Sequence, residues 1–169
     1  AAPVYGRFEN PKTTILGAAG QVELHLVAHD DDAPRAESRI EALAAELRGA
    51  LAFRLYGEDG RDLPHVVADL LLERGLTLAL AESCTGGLLA ARLTEVPGVS
   101  RVLERAFVTY ANRAKVEEVG VDPALLERQG AVSAEVAAAM AEGAMGAAGA
   151  DVGVGITGIA GPDGGTAEK

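Results

Sequence analysis

The sequence lacks several features that would assign it to a common class of protein. Its 169 residues contain one cysteine, Cys84, so no internal disulfide can form and a reducing, cytoplasmic location is expected. No apolar run approaches the roughly 18 residues that a membrane-spanning helix needs. The N-terminus lacks the charged start and apolar stretch of a signal peptide. We therefore expect no membrane partner.

Positive charge is also scarce. The chain has 15 Lys and Arg against 25 Asp and Glu, which gives a formal net charge of -10. Because nucleic-acid-binding proteins usually carry a basic face, nucleic acid is not an expected partner. The three histidines show no zinc-site spacing with carboxylates or the cysteine, and no GxxxxGK[ST] segment occurs, so neither a metal nor a cofactor is expected. A small anionic ligand stays compatible with this charge, since local N–H groups can bind it.

The first part of the chain, residues 1–62, has the pattern of a small α+β domain. Alternation from Val22 to Ala28 predicts a strand with one buried face, and the histidines on it are expected at the surface. Leucine and alanine then recur at helical spacing from Ile40 to Leu51. The segment Leu51–Tyr56 is predicted as a closing strand. We place the domain boundary close to Asp62.

The second part, residues 63–169, alternates helices with short apolar strands. A helix is predicted over Leu63–Arg74, and strands over Leu76–Leu80, Ala106–Tyr110 and Asp151–Ile156. Further helices are predicted over Leu88–Leu93, from Arg113 to Gly120, and from a Ser133 N-cap to about Ala148. This alternation predicts a three-layer α/β/α domain with a mostly parallel sheet.

Polar clusters follow each of the three predicted strands. They cover Glu82–Gly87, Thr109–Lys115 and Thr157–Gly165. In parallel sheets, ligands bind beyond the carboxyl ends of the strands, so the clusters are expected to converge on one crevice. The first cluster lies between a strand and a helix, where unpaired N–H groups can bind an anion or flank a nucleophile.

Ser83 and Lys115 are the residues in these clusters best suited to catalysis. A serine nucleophile needs a base, and a lysine buried in a crevice can lose its proton near neutral pH. Two alternatives stay open: Ser83 as a helix N-cap, and Lys115 as a solvated surface charge. Cys84 is a rival nucleophile, although an isolated cysteine is more often a small buried filler. The only histidine in this part, His65, is far from the clusters along the chain.

Four segments resemble the signatures of the CinA C-terminal domain family, which includes the nicotinamide-nucleotide amidohydrolases. They are Ala81–Gly87 (AESCTGG), Val108–Lys115 (VTYANRAK), Gly130–Ser133 (GAVS) and Thr157–Gly165 (TGIAGPDGG). The resemblance implies hydrolysis of the carboxamide of nicotinamide mononucleotide, with catalytic Ser83, Lys115 and Tyr110. Substrate contacts are expected from Glu82, Thr85, Gly86, Gly87, Asn112, Thr157, Gly158 and Gly161, and the oxyanion is expected to meet N–H groups around Thr85 to Gly87.

The resemblance also extends to the organisation of the protein. Residues 1–62 are similar to the KH-type middle domain of full-length CinA proteins, which begin with a further domain associated with ADP-ribose pyrophosphatase activity. That domain is absent here, and the family continues beyond Lys169 with another strand and helix. We therefore expect a fragment that could be inactive, and a possible homodimer. The alternative function is a non-catalytic nucleotide-binding or interaction module of a competence- or damage-inducible protein.

Overall fold

The computed structural model of the protein describes residues 1–18, 20–161 and 165. By its internal contacts the chain divides into two compact units, Ala1–Asp62 and Leu63–Lys169. None of the helices in these described ranges combines the length and apolar character that crossing a membrane requires.

The first unit contains a short helix, a hairpin and a long helix. Its elements are α1 (Ala2–Tyr5), β1 (Lys12–Ala18), β2 (Gln21–Val27), α2 (Ala33–Leu51) and a 3₁₀ turn (Ala52–Arg54). Strands β1 and β2 pair antiparallel. The sequence located β2 and α2 but missed β1, in which a lysine and two threonines precede only a short apolar stretch. Both His25 and His29 are exposed, as predicted.

Two features of the first unit differ from the expectation. The closing strand predicted over Leu51–Tyr56 is wrong, because the chain leaves α2 through the 3₁₀ turn. The Ala52 amide still donates to the Arg48 carbonyl, so the helical hydrogen bonding extends into this segment. The buried face of β2 is also incomplete, since Val22 is 64% exposed. The resemblance to a KH-type domain stays a prediction.

The second unit is an α/β domain built on a parallel sheet of three strands in the order β4-β3-β5. Two strands are shifted along the chain from their predicted positions, and α6 was not predicted. Its elements are α3 (Leu63–Arg74), β3 (Leu78–Glu82), α4 (Leu88–Thr94), a 3₁₀ turn (Val99–Arg101), β4 (Leu103–Val108), α5 (Asn112–Val119), α6 (Pro123–Gln129), α7 (Ala134–Ala148) and β5 (Val152–Ile156).

Alternate residues of β3 bury themselves on opposite faces of the sheet, as the twofold period of a strand requires. Leu78 and Leu80 pack with residues of α3 and α4, and Ala79 and Ala81 pack with residues of α5 and α7. Helices therefore cover both faces of the sheet. The central strand is buried along its whole length.

Glycine brings α7 very close to β5. A Cβ atom built on Gly155 would lie 2.0 Å from the Ala137 carbonyl oxygen, and one on Gly153 would lie 2.2 Å from that of Ala141. Neither contact is possible for a residue with a side chain unless the helix moves away. The glycines of the apolar run in β5 are therefore needed for packing.

Helix caps and one side-chain contact fix the ends of these elements. Ser133 accepts a hydrogen bond from the Val136 amide, which confirms the predicted N-cap of α7. Gly120 and Gly149 end α5 and α7 with left-handed backbone, as the sequence predicted. At the amino ends of β3 and β5, the Asp151 carboxylate accepts hydrogen bonds of 2.9 Å from both the amide and the hydroxyl of Thr77.

Candidate functional site

Each of the three strands is followed at its carboxyl end by a residue with a hydroxyl group, and these three residues lie in a row. Glu82 of β3 is paired with Val108 of β4 and with Ile156 of β5, so the next residue in each strand is Ser83, Thr109 or Thr157. Backbone hydrogen bonds extend the pairing to this level: the Ser83 amide donates to Ile156 (2.9 Å), and the Thr109 amide donates to Glu82 (2.8 Å). Residues of all three predicted polar clusters thus meet at one edge.

Strand alternation decides which helical layer each of these side chains faces. Ser83 lies two residues beyond Ala81, which packs with α5 and α7, so its side chain is expected on that same side. Glu82 lies between them and is expected on the side of α3 and α4. The hydrogen bonds below agree with this separation.

Lys115 of α5 is buried against Ser83. Its side chain is 1% exposed, and that of Ser83 is 7% exposed. The Lys115 Nζ atom lies 2.9 Å from Ser83 Oγ, 3.0 Å from the Thr109 carbonyl oxygen and 3.2 Å from the Tyr110 carbonyl oxygen. Lys115 is therefore not a solvated surface charge, and Ser83 faces a potential base.

The environment of Lys115 shifts its equilibrium toward the neutral form. Burial lowers the pKa of Lys115, and the nearby Cys84 thiol opposes that effect only in part. Its oxygen partners are a hydroxyl and two carbonyls, none of which carries a negative charge. A lysine placed in this way can accept a proton at a pH where exposed lysines are fully charged.

Glu82 supports the loop that follows β3. It is 1% exposed, and its carboxylate accepts hydrogen bonds from the amides of Leu89 (3.0 Å) and Ala90 (2.8 Å) in the first turn of α4. Burial raises the pKa of Glu82, but hydrogen bonding to the carboxylate, including that from the amides of Ala90 and Leu89, outweighs it, so the pKa lies below its usual value. The Glu82 oxygens are used internally, and the predicted contact with substrate is not favoured by this geometry.

The loop between β3 and α4 turns sharply through two glycines. Gly86 and Gly87 both have positive φ, at 61° and 97°. The Gly86 amide donates to the Ser83 carbonyl, and the Gly87 amide contributes to lowering the pKa of Glu82. No described residue accepts a hydrogen bond from the amides of Cys84 or Thr85. These two amides directly follow Ser83 and have no acceptor among the described residues, so they are candidate donors to a bound ligand.

Tyr110 and Asn112 lie at the rim of this edge. Tyr110 is 65% exposed, and its carbonyl oxygen, not its phenol, contacts Lys115. Asn112 is exposed at the first position of α5, whose N-cap residue Ala111 provides no side-chain cap. The structure therefore places both side chains where a ligand could reach them.

The segment after β5 forms the opposite wall. The Thr157 hydroxyl donates to the Ala131 carbonyl (2.8 Å) and so joins this segment to residues 130–133, the third of the four signature segments. A Cβ atom on Gly158 would lie 3.1 Å from Cys84 Sγ. The segment after β5 therefore packs closely against the loop between β3 and α4. Gly161 has a positive φ of 76°. Residues 162–164 of the predicted third cluster lie outside the described residues.

Sequence reasoning missed the contacts that main-chain carbonyls make. Thr109, Tyr110 and Ala131 contribute backbone oxygens, which leave no mark on residue type. The role of Glu82 had a weak signal, since a carboxylate just before a helix often caps its amides. The described residues contain no group of three or more His, Cys, Asp or Glu placed to bind a metal ion.

Comparison with known proteins assigns this part of the chain to a family. The family model described as CinA C-terminal domain matches residues 60–169. The chain belongs to this family. It is 51% identical over 160 residues to a putative competence-damage inducible protein of Symbiobacterium thermophilum, covering 95% of this chain and 38% of that protein. A CinA-like protein of Dictyoglomus turgidum is 44% identical over 160 residues, covering 95% of this chain and 39% of the relative.

Solved structures of the CinA family share the fold. The competence/damage inducible protein CihA from Agrobacterium tumefaciens is 46% identical, with a TM-score of 0.61 over 68% of this chain and 70% of that chain. A CinA superfamily protein from Escherichia coli is 37% identical, with the same TM-score and coverage. The chain spans about two fifths of the length of the curated relatives it matches.

Proposed function

We propose that this CinA C-terminal domain hydrolyses the carboxamide of nicotinamide mononucleotide to nicotinic acid mononucleotide and ammonia. The observation that carries the proposal is the buried contact of 2.9 Å between Lys115 Nζ and Ser83 Oγ. Membership of the family and the similarity of its four signature segments to the nicotinamide-nucleotide amidohydrolases support the choice of substrate.

The partners of Lys115 suit a neutral amine that acts as a base. A neutral amine has two N–H bonds and one lone pair. The carbonyl oxygens of Thr109 and Tyr110 can accept the two N–H bonds, which leaves the lone pair for the Ser83 hydroxyl. In that arrangement the Ser83 O–H donates to Nζ, and proton transfer activates Ser83 as a nucleophile.

The reaction then proceeds in two halves. Ser83 Oγ attacks the amide carbon while its proton passes to Lys115, and the amides of Cys84 and Thr85 donate to the oxyanion that forms. Lys115 returns the proton to the amide nitrogen, the carbon–nitrogen bond breaks, and ammonia leaves an acyl ester on Ser83. Lys115 next takes a proton from water, whose oxygen attacks the ester. Lys115 passes that proton to Ser83. The acid product gives its remaining proton to the released ammonia or to water, and leaves as a carboxylate.

The rim residues are assigned to substrate binding within the same proposal. Asn112 stands at one side of Ser83, and Thr157, Gly158 and Gly161 stand at the other. For Tyr110 we replace the expected catalytic role with a substrate contact, because its carbonyl oxygen, and not its phenol, contacts Lys115. The family resemblance adds three residues of the loop after β3 to the proposed substrate contacts: Thr85, Gly86 and Gly87. For Glu82 we replace the expected substrate contact with the indirect role developed below.

Release of ammonia from nicotinamide mononucleotide by the purified protein tests the proposal. Ser83→Ala is expected to remove the activity, whereas Ser100→Ala, an exposed serine in the 3₁₀ turn before β4, should leave it unchanged. Cys84→Ala separates the two candidate nucleophiles and should keep most of the activity. Near-native turnover by Ser83→Ala would contradict the mechanism. Binding of the nucleotide with no turnover would favour the alternative, a non-catalytic binding module.

A further inference from the structure

The charge arrangement around Ser83 has a consequence for which ligands the site prefers. The sequence suggested that the turn before α4 could hold an anion, because the first amides of a helix are free. In the structure, the Leu89 and Ala90 amides of α4 already bind the Glu82 carboxylate. The Glu82 carboxylate therefore occupies the position at the start of α4 where an external anion was expected to bind.

The carboxylate leaves a net negative charge one residue from Ser83 along the chain, on the opposite face of the sheet. The positive end of a helix is equivalent to about half an elementary charge, so it does not cancel the full charge of Glu82. On the other side of the strand, Lys115 is the cation-forming side chain that the described residues place in contact with Ser83. Burial lowers the pKa of Lys115 and so weakens its preference for the charged form.

The proposed reaction converts a neutral group into an anion at this position. The carboxamide of the substrate and the carboxylate of the product would occupy the same place beside Ser83. The oxyanion of the intermediate meets short-range amide donors, whereas the released carboxylate also feels the fixed charge of Glu82. A fixed negative charge raises the energy of an anion nearby and leaves a neutral amide almost unaffected.

We propose that Glu82 is a specificity-determining residue, which makes the site bind a pyridine carboxamide in preference to the matching carboxylate and so favours product release. This inference rests on the proposed function, because it assigns a neutral substrate group and an anionic product group to the same place. It needs no contact between Glu82 and the ligand, so the burial of this side chain is consistent with it.

Ligand binding in a Ser83→Ala background tests the inference without turnover. Nicotinamide mononucleotide and nicotinic acid mononucleotide carry the same ribose phosphate and differ only at the group beside Ser83. We expect Ser83→Ala to bind the amide more tightly than the acid by titration calorimetry. Adding Glu82→Gln should reduce the ratio of the amide affinity to the acid affinity by about tenfold, mainly because the acid binds more tightly.

The control removes the same charge from the other end of α4. Glu95 is exposed at the C-cap of the helix, so Glu95→Gln should leave the ratio of the two affinities unchanged. An equal loss of affinity for both ligands in Glu82→Gln would indicate a purely structural role and overturn the inference. If Glu82→Gln does not fold, the Ser83→Ala protein decides alone, and equal or tighter binding of the acid overturns it.

The outcomes also separate this inference from the proposed function. If the wild-type protein releases ammonia but Ser83→Ala shows no preference for the amide, the function stands and the role of Glu82 is wrong. If Ser83→Ala binds neither nucleotide and the wild-type protein releases no ammonia, the proposed function fails and this inference fails with it.

Discussion

Lys115 of α5 and Glu82 of β3 are both buried near the carboxyl end of β3. The two side chains have the same exposure, but their surroundings favour opposite charge states. Each is 1% exposed, and each has a pKa below its usual value. For a lysine a lower pKa favours the neutral form, and for a glutamate it favours the charged form. Burial alone therefore does not determine the charge of a group in this domain.

The hydrogen-bond partners explain the difference. Burial disfavours the charged form of both groups. Around Lys115, uncharged carbonyl and hydroxyl oxygens do not offset that effect. Around Glu82, amides at the start of α4 help to offset it, because the Leu89 and Ala90 amides donate hydrogen bonds to the carboxylate and the helix end carries partial positive charge. One side of the sheet thus offers a base, and the other offers a fixed anion.

Removing the Lys115 amine should have the largest effect. Lys115→Met keeps a long buried side chain but deletes the base, so kcat for ammonia release is expected to fall by about 10³-fold or more, as it does when a triad residue is lost. The variant should remain folded, because an apolar group is well suited to a buried position. Arg128→Met, at an exposed position of α6, is the matched loss of a cation and should leave kcat unchanged.

The close packing of α7 on β5 can be tested by adding a methyl group at either of two glycines. Gly155→Ala would place a Cβ atom 2.0 Å from the Ala137 carbonyl oxygen, so α7 must shift. The free energy of unfolding should fall by about 3 kcal/mol in a denaturant titration. In contrast, Gly146→Ala meets nothing within 4 Å and should stabilise α7 by about 0.5–1 kcal/mol. Equal effects of the two substitutions would contradict the close approach.

The pH dependence of catalysis tests the charge state of Lys115. The neutral amine is the active form, so kcat/KM should rise with pH, about tenfold per unit below the pKa of Lys115, and level off above it. Because burial lowers that pKa, the profile should level off at a lower pH than an ordinary lysine would give. A profile that levels off only near pH 10.4 would show that Lys115 is not desolvated in this way.

A smaller effect is expected at the start of α7. Ser133→Ala removes the side-chain acceptor for the Val136 amide and should lower the free energy of unfolding by about 1 kcal/mol. Ser38→Ala in α2, where the hydroxyl donates to the Pro34 carbonyl within the helix, is the control and should change stability little. If the two variants unfold alike, the cap of α7 does not contribute to stability.

Much of the second unit was predictable because its signals are local. The bounds of α3 and the end of α7 follow from apolar spacing and from the glycine after each helix. Strand ends were less predictable, since β3 is buried on both faces and shows no alternation. Helix α6 was missed, although Asp122-Pro123 is a typical N-cap and first helical residue, because the segment is short.

The candidate site was predictable only in part. Residue type and position at strand ends pointed to Ser83 and Lys115, but left both a surface lysine and a serine cap as alternatives. The contact between them joins residues 32 apart in the chain, and its distance depends on how α5 packs against the sheet. No local pattern reports that packing.

The sequence by itself determined the order of the elements in the second unit, the edge of the sheet where the polar clusters meet, and the residues available there for chemistry. Only the tertiary structure decided which of those residues act together. Strand alternation sends Ser83 and Glu82 to opposite faces. The segment between β4 and α5 provides carbonyl oxygens for Lys115, and the start of α4 provides amides for Glu82. Backbone groups carry no sequence signature, so the charge preferences of these two residues could be read only from the folded chain.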